Sequence, residues 1–435
     1  MNIKTLHLTN SWHAESGGVA TFYRELLKGA ERLGRQIRLV VPGPANRVEE
    51  LGRFVRIYTV AAHASRLSPG YSLLMPQHYL PPGSPVRGIL ARERADLVEC
   101  CDKYTLNYLA ALLRRGWLLG RDYRPAVVGL SCERMDRNMA LYVSKSAAAQ
   151  RFCRVYMKWL HFPMFDHHIA VSPLAAEELH DAARGHNVRR GVWVRPMGAS
   201  CDIFHPGRRA SSVRDWLNSM AGAAEGATLL LYAGRLAPEK NLELLIDTMA
   251  LLEQRAPGRY QLLVAGDGPL RAEFEKRSDR LAPGAVRPIG HVGDRETLAA
   301  IYANCDIFLH PNPREPFGIA PLEAMASGMA LVGPNTGGIT CFADNSNAWL
   351  VEPEAGAFAG AVEDIAADPA MAERRRLAAR ATAERFDWPC VIDQFFGLYD
   401  ELHALVTGGL EAPRLAPEFY STPGDRFGSE IRSHV

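Results

Sequence analysis

Short apolar runs alternate with amphipathic helical periods along almost the whole chain, and no other feature narrows its fold so far. Strands joined through helices must lie parallel, because only a crossover returns the chain to the same end of a sheet. The first unit of this kind is a strand over residues 5–10, a polar loop closing on Gly17 and Gly18, a helix over 19–33 and a strand over 37–41. In that helix Val19, Phe22, Leu26, Leu27, Ala30 and Leu33 recur at spacings of three and four or their sums, and Gly34 stands where a C-terminal cap belongs. Further strands are expected at 97–101, 126–130, 168–171 and 192–194, with helices over 106–114 and 146–161. A second series starts at Thr228, with strands at 229–233, 261–265, 306–310 and 330–332 and helices over 242–253, 270–280, 295–303 and 319–327. Between 206 and 226 the pattern weakens into RRASS and AGAAEG. At 435 residues the chain exceeds one comfortable core. The expected layout is a Rossmann-like domain over 1–205, a linker over 206–226, a second over 227–388, a helix over 389–407 and a loosely packed polar tail over 408–435. No internal repeat is visible.

The eight cysteines include no C-x-x-C pair and no histidine at zinc-finger spacing, which points to a reducing compartment and no metal site. The opening MNIKTLHLTN runs straight into a strand and no apolar stretch is long enough to span a bilayer, so a cytoplasmic protein is expected. The net charge of +2 hides an imbalance: residues 1–200 carry 28 Lys+Arg against 16 Asp+Glu, and residues 201–435 carry 22 against 32. A basic half attracts anionic partners, and peripheral contact with the inner membrane face fits it as well as a solvated arginine-rich surface does.

No G-x-x-x-x-G-K-[ST] occurs, which disfavours a P-loop nucleotidase. Gly266-Asp267-Gly268 follows a strand but lacks the third glycine of a dinucleotide fingerprint, since Arg271 stands there. The strongest constellation is GRLAPEKN, which sets Arg235 just past a strand end and Lys240 at the entry to the next helix, both on the ligand edge of a parallel sheet. It is joined by PNPREPFGIAPLEAMASG, in which Glu315 precedes a helix and Glu323 lies within it. Between these carboxylates the amides around Phe317, Gly318 and Ile319 form a helix N-terminus suited to a phosphate.

Taken together, GRLAPEKN, AGDGP, GHV, the two glutamates spaced by seven residues and the Asn335-Thr336-Gly337-Gly338 loop resemble the retaining, metal-independent glycosyltransferases of family 4. The resemblance runs from the Gly17-Gly18 loop to the final helix. It implies the α/β GT-B fold, two Rossmann-like doubly wound domains facing a cleft, with the 389–407 helix packing back towards the first. It implies that Arg235 and Lys240 neutralise the diphosphate of a UDP- or GDP-sugar, Glu315 engages the donor sugar and Glu323 binds the ribose. Gly17 and Gly18 would approach the phosphates, and Gly266 and Gly268 would line the nucleotide. The donor is a substrate; no cofactor, metal or nucleic acid is expected.

Relatives often carry a histidine where this chain has Cys132, before Glu133. A thiol donates hydrogen bonds poorly, so either Glu133 or Arg134 makes that donor-sugar contact or Cys132 is only a small buried hydrophobe. Segments 96–109 and 162–172 and the CERMD run are similar to the branch acting on lipid acceptors, including phosphatidylinositol mannosyltransferases and sulfolipid synthases; other members act on glycans or metabolites. The irregular stretch 61–87 reads equally as an acceptor-side or membrane-facing loop and as a surface insertion. The rival class is a non-catalytic nucleotide-sugar sensor or partner subunit.

Overall fold

The computed structural model describes residues 2–12, 17–63, 72–186 and 191–408. The tail beyond 408 and part of the 61–87 stretch lie outside it. The chain divides into two units, one formed by Met1–Pro196 with the helix from Pro389 onward, the other by Met197–Trp388.

The first unit holds strands β1 (Thr5–Thr9), β2 (Ile37–Gly43), β3 (Arg47–Glu50), β4 (Val55–Ala61), β5 (Leu97–Cys101), β6 (Ala126–Ser131), β7 (His167–Ala170) and β8 (Val192–Val194). They form one sheet in the order β3-β4-β2-β1-β5-β6-β7-β8, parallel except for the β3–β4 pair. Every residue of β1, β5 and β6 is buried, as expected of parallel strands covered on both faces. Helices α1 (Gly18–Leu33), α2 (Pro85–Glu93), α3 (Leu106–Arg114), α4 (Met135–Tyr142), α5 (Ala147–Tyr156) and α6 (Pro173–Ala183) link them. Gly34 takes the left-handed conformation (φ 67°) that ends α1. The helix expected over 146–161 leaves α-geometry at Met157 and continues as a wider π-turn to His161.

The second unit holds α7 (Ser211–Ala221), β9 (Thr228–Ala233), α8 (Leu242–Arg255), β10 (Tyr260–Ala265), α9 (Arg271–Leu281), β11 (Val286–Gly290), α10 (Arg295–Asn304), β12 (Ile307–Leu309), α11 (Ile319–Ala326), β13 (Ala330–Pro334), β14 (Trp349–Val351), α12 (Ala355–Ala367) and α13 (Pro369–Arg385). Its sheet is wholly parallel in the order β11-β10-β9-β12-β13-β14. The order reverses between β9 and β12, the switch point at which doubly wound sheets open a crevice beyond their strand ends.

The 206–226 stretch is not a linker. It contains α7, whose Leu217 and Ala221 are buried, while Arg214 donates to Asp306 Oδ2 (2.8 Å) and to two backbone carbonyls. This helix buries a narrow stripe through a polar sequence, so its periodicity is faint. The last helix, α14 (Trp388–Thr407), packs with the first unit from Pro389 onward: Ile392 lies on Gly29, Phe395 against Phe22, and Tyr399 donates to Glu99 Oε2 (2.6 Å).

Candidate functional site

The loops after β9 and β12 flank the switch point of the second unit and carry the cationic and acidic residues singled out in the sequence. Lys240 Nζ donates to Glu315 Oε2 at 2.7 Å, and Asn312 Nδ2 donates to the same oxygen at 2.8 Å. Burial works against the Glu315 charge, but Lys240, His310 and the amide of Asn312 outweigh it and hold the carboxyl at about 2. The same contact raises Lys240, against the burial that opposes it. The two residues are therefore a standing ion pair. Lys240 keeps two of its three N–H donors free of Glu315. Arg235 lies in the same loop; its carbonyl accepts from the Tyr232 hydroxyl (3.1 Å), but its side chain has no hydrogen-bond or ion-pair partner among the described residues, which leaves a half-buried guanidinium open to an anion.

His310, at the end of β12, and Asn312 escaped the sequence reading. Burial pushes the His310 imidazole down to about 4 although Glu315 pulls the other way, so it is neutral at physiological pH. Its Nε2 is buried without a partner. The only signal for either was their place between a strand end and Glu315.

Gly318 caps α11 with φ 106°, and a Cβ there would stand 2.9 Å from Pro321 Cγ. The amides of Ile319 and Ala320 then have no carbonyl one turn back, and Pro321 has no amide to leave unpaired. The Phe317 ring is buried against Phe342 (5.2 Å between centroids), which fixes the loop from behind. Glu323, within α11, is buried beside Arg295, whose Nη2 lies 3.3 Å from Glu323 Oε1 and 3.1 Å from Ser200 Oγ. Burial outweighs the opposing pull of Arg295 and raises the Glu323 carboxyl to about 7. Arg295, in the GDRE run, is a third residue that the sequence reading passed over.

Gly266 and Gly268 have a reason internal to the fold. A Cβ on Gly266 would stand 1.9 Å from the Gly234 carbonyl oxygen, and one on Gly268 2.4 Å from that of Leu236. The loops after β9 and β10 run backbone against backbone, joined by Leu236 N to Asp267 O (2.9 Å) and Leu270 N to Leu236 O (3.0 Å). Gly338 likewise has the Pro316 carbonyl 2.1 Å from where its Cβ would be, and it donates to Glu315 O (2.7 Å).

In the first unit, Gly17 precedes α1 and Gly18 is its first residue. A Cβ on Gly17 would meet nothing within 4 Å. The Cys132 thiol lies 3.8 Å from that of Cys101, and this contact, with burial, raises it well above the usual thiol range. It is thus protonated and a weak donor. Of the two residues offered in its stead, Arg134 is committed to Asp136, Glu177 and the Leu174 carbonyl. Glu133 is raised by burial, with Lys103 opposing, and among the described residues only its carboxyl Oε2 is engaged, by Asn138 (2.8 Å). Among the described residues no group of three or more His, Cys, Asp or Glu side chains is placed to hold a metal ion.

Comparison with known proteins places these features in a family context. The family profile described as Glycosyltransferase Family 4 matches residues 16–192, and that described as Glycosyl transferases group 1 matches residues 218–383. The chain is 30% identical over 389 residues to the GDP-mannose-dependent alpha-(1-6)-phosphatidylinositol dimannoside mannosyltransferase of Mycobacterium tuberculosis, covering 89% of this chain and 93% of that protein. It is 28% identical to a GDP-mannose-dependent alpha-mannosyltransferase of Corynebacterium glutamicum, covering 74% and 70%. Among solved structures it resembles sucrose-phosphate synthase from Thermosynechococcus elongatus with a TM-score of 0.70 and 21% identity, covering 92% and 99%, which is a likeness of fold.

Proposed function

The chain belongs to the group 1, family 4 glycosyltransferases, and from that premise we propose that it moves a hexose, most simply mannose from GDP-mannose, onto a hydroxyl of a lipid acceptor. The donor choice is supported by the GDP-mannose dependence named for the relatives covering most of the chain. The reading is carried by one observation: Lys240, paired with Glu315, and an unpartnered Arg235 stand at the switch point beside the open N-terminus of α11. Arg235, the two free donors of Lys240 and the amides of Ile319 and Ala320 would take the diphosphate; Glu315 and Asn312 would accept and donate at the sugar hydroxyls; Glu323 would take the ribose.

Such a site favours departure of the diphosphate, because preorganised donors meet charge that grows in the transition state. The bond from the anomeric carbon to the phosphate oxygen breaks, the acceptor oxygen bonds to that carbon on the same face, and its proton passes to the departing diphosphate. The configuration is retained, and cations on the protein do the work for which a metal would otherwise be recruited. The acceptor side falls to the first unit, whose cationic excess supports peripheral contact with an anionic membrane.

A thermal-shift panel of GDP-mannose, UDP-glucose and ADP-glucose, followed by transfer to phosphoinositide acceptors in EDTA, tests the reading. The true donor at a hundred times its dissociation constant adds about 2.7 kcal/mol of stability. Stabilisation by no GDP-sugar, or transfer that EDTA abolishes and Mn²⁺ restores, would overturn it.

A further inference from the structure

Residues 137–165 contain five Lys and Arg and no Asp or Glu. This stretch of the first unit forms most of α4, then α5, and the π-turn that extends α5. The extended helix already has an inward stripe, Cys153, Tyr156, Met157 and His161, all buried. Its outward side is nevertheless apolar: Phe152, Val155, Trp159 and Leu160 are 53, 49, 57 and 44% exposed. Phe152, Val155 and Trp159 follow at spacings of three and four, one line along the helix. In the turn before it Tyr142 and Val143 are 60 and 74% exposed. Trp159 meets His186 edge-on (5.2 Å between centroids) and Phe152 lies by Tyr156 (6.0 Å), yet all six side chains keep 44% or more of their surface in water, which disfavours them.

Their borders are cationic. Arg151 and Arg154 are exposed on the same helix and Lys145 in the preceding turn, and none of the three has an ion-pair partner among the described residues. Lys158 sits over the Trp159 ring at 5.5 Å, its charge held beside the apolar line. A protein partner offering acidic groups would account for the cations alone. Tryptophan and phenylalanine edged by unpaired arginines match a bilayer interface, where rings sit at headgroup depth and cations meet anionic phosphates.

We propose that the outer face of α5 and its π-turn, with Tyr142 and Val143, is a docking surface for anionic phospholipid bilayers that seats the first unit on the membrane holding its acceptor. The proposal rests on the lipid-acceptor reading for its purpose, but its geometry is independent of donor and acceptor. Among the described residues no helix is long and apolar enough to cross a membrane, so attachment through this face is peripheral and reversible.

The test is flotation of the full chain with phosphatidylcholine vesicles and with vesicles containing phosphatidylglycerol, without donor or acceptor, at low and high salt. Binding is expected only to the anionic vesicles and only at low salt. Replacing Lys145, Arg151 and Arg154 together by Ala should weaken it roughly a hundredfold, and Phe152→Ala with Trp159→Ala should abolish it. All five side chains are exposed, and unchanged transfer to a dispersed short-chain acceptor will show that the variants fold. Variants that float like the parent, equal binding to neutral vesicles, or a concentration-dependent dimer lost in the Phe152/Trp159 variant would overturn the proposal. Transfer without vesicle binding refutes the surface and leaves the activity standing; vesicle binding with no turnover of any sugar nucleotide does the reverse.

Discussion

Two cations read from one loop prove to have different local economies. Arg235 has no partner to lose, so Arg235→Ala should reduce transfer by roughly ten to a thousandfold while leaving the melting temperature within a degree or so of the parent. Lys240→Ala removes the counter-ion of a half-buried carboxylate and should cost about 1–3 kcal/mol of stability as well as activity. In the double variant Lys240→Ala/Glu315→Gln most of that stability should return and the activity should not, as kinetics and thermal unfolding on the same preparations will show. An Arg235→Ala enzyme of normal rate would place the diphosphate elsewhere. A carboxyl raised to about 7 makes Glu323 a second discriminating residue. Its folded-state value exceeds the unfolded one near 4.5, so its contribution to stability is full below pH 4.5 and is lost as pH rises through about 7. If it accepts the ribose hydroxyls as a carboxylate, nucleotide affinity should rise over that same window; in Glu323→Gln, titration calorimetry should find affinity lower and flat with pH. A wild-type affinity that falls with pH would contradict the assignment.

The elements explain why glycines alike in sequence differ in what they report. Gly266 and Gly338 lie where one loop backbone meets another, so Gly266→Ala or Gly338→Ala must displace a carbonyl and should destabilise the second unit by about 1–3 kcal/mol, read by chemical denaturation. At Gly17 an added methyl meets open space. Gly17→Ala should therefore melt like the parent, and any loss of turnover in it would report the ligand itself; undiminished kinetics would remove Gly17 from the site. The buried parallel strands were legible: β5 and α3 coincide with their sequence readings, because burial on both faces concentrates apolar residues into short runs. What escaped has little apolar contrast. Strand β3 is the charged edge segment RVEE, β11 contains Arg287 and Pro288, and α7 buries only two side chains inside a polar sequence. In the site the charged residues on strand-end loops were legible from residue type and spacing. His310, Asn312 and Arg295 were not, because their relation to Glu315 and Glu323 exists only once β12, α10 and α11 are placed.

At the scale of the molecule α14, the last helix among the described residues, belongs to the chain's beginning. Ile392, Phe395, Phe396, Tyr399 and Leu402 of α14 are buried, and with Phe22 and Tyr23 they complete the cover of the central strands β1 and β5 of the first sheet. Tyr399 and Tyr23 both donate to the carboxylate of Glu99, itself 2.8 Å from His7 Nδ1, so a fully buried acid is satisfied by residues from both ends of the sequence. Arg35 and Asp400 pair nearby, and Arg32 reaches Asp393. Burying five such side chains is worth about 1.5–3 kcal/mol each, which together rivals the entire stability of a typical domain, about 5–15 kcal/mol. Of this helix only Trp388 belongs to the second unit, whose core of Leu230, Leu245, Leu262 and Val332 lies within Met197–Trp388. A chain ending at Trp388, which keeps that buried side chain of the second unit, should therefore contain one folded and one unfolded unit: limited proteolysis should remove the first and spare a fragment of the second that still binds the nucleotide. The point variant Tyr399→Phe, which leaves Glu99 short of one donor without opening a cavity, should lower only the unfolding transition of the first unit, by about 1–3 kcal/mol. A truncated chain whose first unit resists protease as the parent does would mean that α14 is an accessory, and that the core of β1 and β5 closes without it.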